Sequence, residues 1–250
     1  MSIKYQCNIT GQSFNLDNKE IGREKSYAFK FTSRDRAIVY CLLYRLGLSA
    51  YSLNILKNKE ITGIGMTDSG LLAKALCESF LYTNTFFHQK PYLDIYNLEH
   101  VNEFLNLDFI ICSEVFEHIS PYPGLNVAFY NLYRMLKKNN GILIFSVPYN
   151  LTEHREHFPS LYNYEIIYEN NQYILNNITQ DGQSEKFTDL VFHGGPGETL
   201  EMRQFSKISI ENYLKNAGFK NIIFHEIDNN MEKYGIFWEC PVSLIISAKT

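Results

Sequence analysis

Residues 60–84 constrain this chain most. The run Glu60-Ile61-Thr62-Gly63-Ile64-Gly65-Met66-Thr67-Asp68-Ser69-Gly70 leads into Leu71-Leu72-Ala73-Lys74-Ala75-Leu76 and then Phe80-Leu81-Tyr82-Thr83-Asn84. It reads as strand, glycine-containing turn, helix, strand. Residues 61–64 form the first short strand. Gly63 and Gly65 remove side chains where the chain turns sharply and a ligand comes close. Ser69 or Asp68 can cap the helix. Leu71, Leu72, Ala75 and Leu76 recur at helical spacing, so one face is apolar. Residues 80–83 form the second strand. This is the first half of a doubly wound α/β sheet, in which ligands sit beyond the carboxyl ends of the strands. Two glycines one residue apart suit a plain structural turn as well as a cofactor loop, and the full G-x-G-x-x-G of nicotinamide binders is missing.

The later chain continues the alternation. Residues 107–113 are a nearly continuous apolar run, as in a parallel strand buried on both faces. It ends in Ser113-Glu114-Val115-Phe116-Glu117-His118. Residues 99–106 and 125–136 read as helices, the second closed by Lys137, Lys138 and Gly141. Residues 142–147 are another buried strand. Residues 165–168 and 172–176 read as a hairpin turning at Asn170-Asn171. A helix over 209–218 stops at Gly218. Residues 222–227 and 242–248 are strands joined without a helix.

The first 33 residues stand outside the sheet. Residues 3–9 and 27–32 read as short strands, with Ile9, Phe14, Phe29 and Phe31 as their apolar filling. Ser33 caps a helix running to Leu46. Arg34 and Arg36 in its first turn oppose the helix dipole, which suggests ion-paired or ligand-binding roles.

A chain of 250 residues that is 45% hydrophobic supports one large domain with a small appendage. A net charge of -4 gives no general signature for nucleic acid or an anionic membrane. The five cysteines, Cys7, Cys41, Cys77, Cys112 and Cys240, are scattered and odd in number. They read as reduced, mostly buried thiols, and the expected location is the cytoplasm. No apolar run approaches a leader's core or a membrane span. His154 and His157 lack the i, i+4 spacing of zinc proteases.

The strand end at Glu117-His118, followed by Arg134-Met-Leu-Lys-Lys-Asn-Asn-Gly141 and Ile142 to Pro148, resembles class I S-adenosylmethionine-dependent methyltransferases. The resemblance covers about residues 58–149. Gly65 matches the first glycine of the family's cofactor loop. Gly63 stands where the family has an acidic residue, Thr67 and Ser69 replace later glycines, and Asn84 replaces an acidic ribose ligand. Cys7, Thr10, Ala28 and Phe31, with Ser33, Arg34 and Arg36 behind them, resemble in register the Cys-rich ribbon that opens one group of these enzymes. Phe192-His-Gly-Gly-Pro-Gly197 resembles a stretch of the same group.

The resemblance implies a Rossmann-like, mostly parallel sheet with a C-terminal antiparallel hairpin and a small N-terminal ribbon. Residues 1–33 form the appendage, and 34–250 form the methyltransferase domain, with an insertion at about 150–206. S-adenosylmethionine is the implied cofactor. Gly63 and Gly65 approach its methionine end, Asn84 and Thr85 face the ribose, Asp94 faces the adenine, and Ser113 and Glu114 line the mouth. His118 and His193 are candidate bases, neutral imidazole being suited to that task. The acceptor is expected to be a small molecule or a sugar O or N atom. A non-catalytic scaffold that keeps the fold is the alternative. With one thiol of four left in the ribbon, no metal is expected.

Overall fold

A computed structural model describes residues 3–16, 22–25, 28–49, 51–150 (backbone only at 150), 153–195, 197, 199–238 and 242–250. Strands β1 (Ile3–Gln6) and β2 (Ser13–Leu16) form an antiparallel hairpin, and α1 (Ser33–Arg45) follows. The core then alternates β3 (Thr62–Met66), α2 (Gly70–Ser79), β4 (Leu81–Thr85), α3 (Leu98–Glu103), β5 (Phe109–Ser113), α4 (Leu125–Met135) and β6 (Ile142–Ser146). An extension holds β7 (Tyr149–Asn150), β8 (Arg155–Glu156), β9 (Asn163–Glu169), β10 (Gln172–Ile178), β11 (Ser184–Phe187), β12 (Phe192–His193), β13 (Thr199–Leu200) and β14 (Arg203–Ser206). The chain closes with α5 (Lys207–Ala217), β15 (Lys220–Phe224), α6 (Asn229–Glu232) and β16 (Ile246–Lys249).

The central sheet has the order β15-β16-β6-β5-β3-β4. β3, β4, β5 and β6 are mutually parallel, and β16 runs antiparallel to both β6 and β15. Alternation along β5 feeds two cores, one on each face. Ile110 and Cys112 pack with Ala128, Phe129, Leu132, Ile210 and Leu214 of α4 and α5. Phe109 and Ile111 pack with Ile38, Leu42, Leu72 and Leu76 of α1 and α2. Helices on both faces explain why β5 and β6 are nearly continuous apolar runs.

Local chemistry sets the helix ends. Ser69 caps α2, its side chain accepting from the Leu72 amide. Gly218 ends α5 at φ 105, a left-handed angle that a side chain disfavours. The turn between β9 and β10 places Asn170 and Asn171 at φ 51 and 66, the geometry that favours asparagine.

Several expectations are corrected. Residues 28–30 form a 3-10 turn, not a strand, with Phe29 and Lys30 at φ 60 and 66. The buried Arg36 guanidinium donates to the carbonyls of Phe31 and Thr32 at 2.9 and 3.0 Å, which occupies groups that a strand would pair. Phe29 is 44% exposed and fills no core, whereas Ile9 and Phe31 are buried. Thr32, not Ser33, caps α1, in a reciprocal capping box with Asp35. Cys77 is exposed, while Cys7, Cys41 and Cys112 are buried. A one-turn helix, α6, interrupts the connection between β15 and β16, and β11 adds a third strand to the expected hairpin. Tyr27, Cys240, and Pro196 of the glycine-rich run lie outside the described residues.

Candidate functional site

The chain runs from β3 to β4 on one side, then crosses back to place β5 on the other side of β3. In doubly wound sheets ligands bind at such a reversal, beyond the carboxyl ends of the strands, here those of β3 and β5. Gly65 is one residue short of the carboxyl end of β3, Ser113 ends β5, and Glu114 follows it.

The glycines of β3 make room for the protein's own side chains. A Cβ on Gly63 would sit 2.3 Å from Cζ of Phe109. A Cβ on Gly65 would sit 1.8 Å from the Tyr82 hydroxyl and 2.1 Å from Oδ2 of Asp68. Tyr82 donates to that carboxylate, and its ring stacks on Phe109. Burial raises the Asp68 carboxyl to about 7, against the opposing effect of the Tyr82 hydrogen bond. Thr67 holds φ 64, a left-handed conformation where the family pattern has glycine.

Asn84 clamps the backbone of Asp68 from both sides. Its Oδ1 accepts from the Asp68 amide at 3.0 Å, and its Nδ2 donates to the Asp68 carbonyl at 2.9 Å. Thr85 is buried, with its hydroxyl donating to the Gly65 carbonyl at 2.8 Å. Asp94 is half-buried, and its Oδ1 accepts from the Tyr96 amide at 2.9 Å.

Glu114 ties three segments together. Its carboxylate accepts from Ser146 at 2.8 Å and from Ser243 at 3.2 Å, with Arg23 at 4.0 Å and Arg34 at 3.9 Å. Ser113 bonds Ser146 at 2.9 Å. Arg34 thus has acidic neighbours, Glu24 and Glu114, across from its own helix.

Just past Glu114, the 3-10 turn Phe116–His118 meets β12, β13 and β14. His118 Nδ1 is 2.9 Å from the Leu200 carbonyl, and the Met202 amide donates to the Glu117 carbonyl at 2.7 Å. Arg203, fully buried, donates to the Phe116 carbonyl at 2.7 Å and to Glu156 at 2.7 Å. The His118 and His193 rings stand edge to face, 4.9 Å between centroids. His193 Nε2 is 3.0 Å from Glu201, whose second oxygen is 2.9 Å from His157. His118 and His193, named separately in the sequence, therefore meet, with Glu201 beside His193. His154 pairs with Glu156 instead of joining His157.

In the sequence Glu117 reads only as part of a motif. It is fully buried, and neither carboxylate oxygen has a hydrogen-bond partner among the described residues. Burial pushes its pKa well up. Burial holds His118 below the usual histidine range, which favours its neutral form.

No family model matches the chain. No curated protein matches it either. Among solved structures, an S-adenosylmethionine-dependent methyltransferase from Clostridium acetobutylicum is similar at 16% identity, with 86% of this chain and 89% of that chain covered and a TM-score of 0.47. A SAM-dependent methyltransferase from Archaeoglobus fulgidus is similar at 14% identity, over 84% and 94% of the two chains, with a TM-score of 0.43. A sugar N-methyltransferase from Streptoalloteichus is similar at 8% identity, over 76% and 79%, with a TM-score of 0.42. By its own strand order, a parallel β4-β3-β5-β6 core continued by β16, antiparallel to it, and then by β15, the chain has the Rossmann-like fold expected of the class I methyltransferases that its motifs resemble.

Proposed function

We propose that the chain is an S-adenosylmethionine-dependent methyltransferase acting on a small molecule, at an O or N atom. The observation that supports this is the reversal of strand order at β3, where doubly wound sheets bind their ligands, together with half-buried polar groups near the carboxyl ends of β4 and β5. Asn84, Asp94, Ser113 and Glu114 are the groups that would hold the cofactor. Gly63 and Gly65 leave room for the side chains that support β3 there, and Thr85 fixes the Gly65 carbonyl. When bound, the cofactor supplies a sulfonium methyl group for in-line displacement by the acceptor. The chain's part is then chiefly to position the two reactants. His118 and His193 are the candidates to take a proton from an O–H or N–H acceptor.

One observation favours a second reading, a binding or scaffold domain that keeps the fold without catalysis. The space beside Gly65 is filled by Asp68 and Tyr82, and the Asn84 amide already binds the Asp68 backbone. Calorimetric titration with S-adenosylhomocysteine separates the readings. One-to-one binding supports the enzyme. No heat at concentrations up to about 1 mM, where even −4 kcal/mol of binding is detectable, supports the scaffold.

A further inference from the structure

We infer that Glu117, His118 and His193 form a binding site for a divalent transition-metal ion of the zinc class, with at least one coordination position left open. One donor atom from each of the three residues lies within 4.8 Å of the others. His118 Nε2 is 3.6 Å and His193 Nδ1 is 3.9 Å from the same oxygen, Oε1 of Glu117. A tetrahedral ion with bonds of about 2.0–2.1 Å holds its ligands roughly 3.3–3.4 Å apart, so each imidazole nitrogen is within about half an ångström of that spacing from the carboxylate oxygen, and the two nitrogens, within 4.8 Å of each other, close further on binding.

The far side of each imidazole supports the assignment. His118 directs Nδ1 to the Leu200 carbonyl at 2.9 Å, so that nitrogen carries the proton. In the neutral ring, Nε2 then presents a lone pair towards Glu117. His193 directs Nε2 to the Glu201 carboxylate at 3.0 Å, so Nδ1 likewise presents a lone pair towards Glu117. A metal-ligating histidine characteristically donates its second nitrogen to a carbonyl or a carboxylate. Glu201 is itself steadied by His157 at 2.9 Å.

Two lone pairs and a buried carboxylate therefore converge with no donor between them. Glu117 is fully buried, and neither of its oxygens has a hydrogen-bond partner among the described residues. Such a group is unfavourable unless a proton or a cation occupies the centre. A proton serves one of the two imidazoles, whereas a divalent ion serves all three donors. Binding displaces the proton from Glu117 into solvent. The His118 and His193 side chains are 16% and 34% exposed, which leaves a route for the ion and an open face for a water or an acceptor oxygen. The donor set of two imidazoles and one carboxylate suits zinc with an open position. The lone ribbon cysteine plays no part, and the inference stands independently of cofactor binding.

The test is titration of the chelator-stripped full chain with zinc, by calorimetry, and with cobalt(II), by visible absorption. The expected result is one ion per chain, with d–d bands of nitrogen and oxygen ligation. His118→Ala and His193→Ala should each weaken zinc binding by about 10-fold or more, and Glu201→Gln by about 10-fold through loss of the orienting bond. His154→Ala, which pairs with Glu156 outside the cluster, should bind as the parent does. If a variant loses its fold by circular dichroism, the parent's cobalt spectrum decides alone. Absence of stoichiometric binding, a strong sulfur charge-transfer band, or unchanged affinity in both folded histidine variants would overturn the assignment.

Discussion

The Tyr82 hydroxyl meets the Asp68 carboxylate in the volume that any side chain at Gly65 would claim. The glycine is therefore required by an internal pair, whatever ligand lies beyond it. From the sequence, a side chain at 65 is expected to collide with the cofactor. The structure places the first collision inside the protein.

Gly65→Ala should therefore destabilise the fold by about 1–3 kcal/mol through overpacking, whether or not cofactor is present. Urea unfolding of the apo protein measures this. An unchanged midpoint would mean that Tyr82 and Asp68 move aside freely.

The same pair gives a pH dependence with an unusual sign. An unfolded aspartate titrates near 3.8, whereas burial raises Asp68 to about 7. The folded state binds more protons between these values, so this group's contribution to stability falls as pH rises from about 4 to about 7. His225 opposes it. Burial lowers that imidazole to about 4, so its contribution is present above about 6.5 and is lost as pH falls towards 4. Thermal melts across this range should separate the two. Asp68→Asn should remove the decline with rising pH, and His225→Gln the loss on acidification. A parent-like profile in Asp68→Asn would show that this carboxyl is ionised in the fold.

Thr67→Gly should stabilise the chain by about 0.5–1 kcal/mol. A threonine at φ 64 costs about 1–2 kcal/mol relative to the right-handed region, and glycine's extra chain entropy offsets part of the relief. Thr67 is exposed, so little packing is lost. A lower unfolding midpoint in the variant would contradict this.

The sheet was legible because its signals are local and dense. The apolar run at 109–113 and the Ser69 cap need no distant partner to be read. The ribbon was less so. Nothing within residues 28–32 reveals that Arg36 takes up the carbonyls of Phe31 and Thr32, which a strand would have paired. The histidine cluster lies between these cases. His118 and His193 stood out by type, but 75 residues separate them, and only the return of β14 to the 116–118 turn shows that Glu117 joins them. No sequence spacing encodes that return.

Arg203→Met should destabilise the chain by at least about 2 kcal/mol. It would leave the buried Phe116 carbonyl without its guanidinium donor and Glu156 with His154 alone. Denaturant unfolding checks this. A shift below about 0.5 kcal/mol would mean that water or a neighbour replaces both bonds.

The seam along residues 200–203 also bears on how this architecture can be recombined. The Leu200 carbonyl, the Met202 amide and the Arg203 guanidinium each close onto residues 116–118. A graft that exchanged the whole of 150–206 for a short linker would strip hydrogen-bond partners from the turn that follows β5. A workable splice keeps 200–206 with the host and cuts only among β9, β10 and β11. Those strands form a separate three-stranded sheet and share no ladder with the central one. Variation in the outer strands and constancy in the seam is thus the pattern that the hydrogen bonding itself prescribes for relatives of this chain.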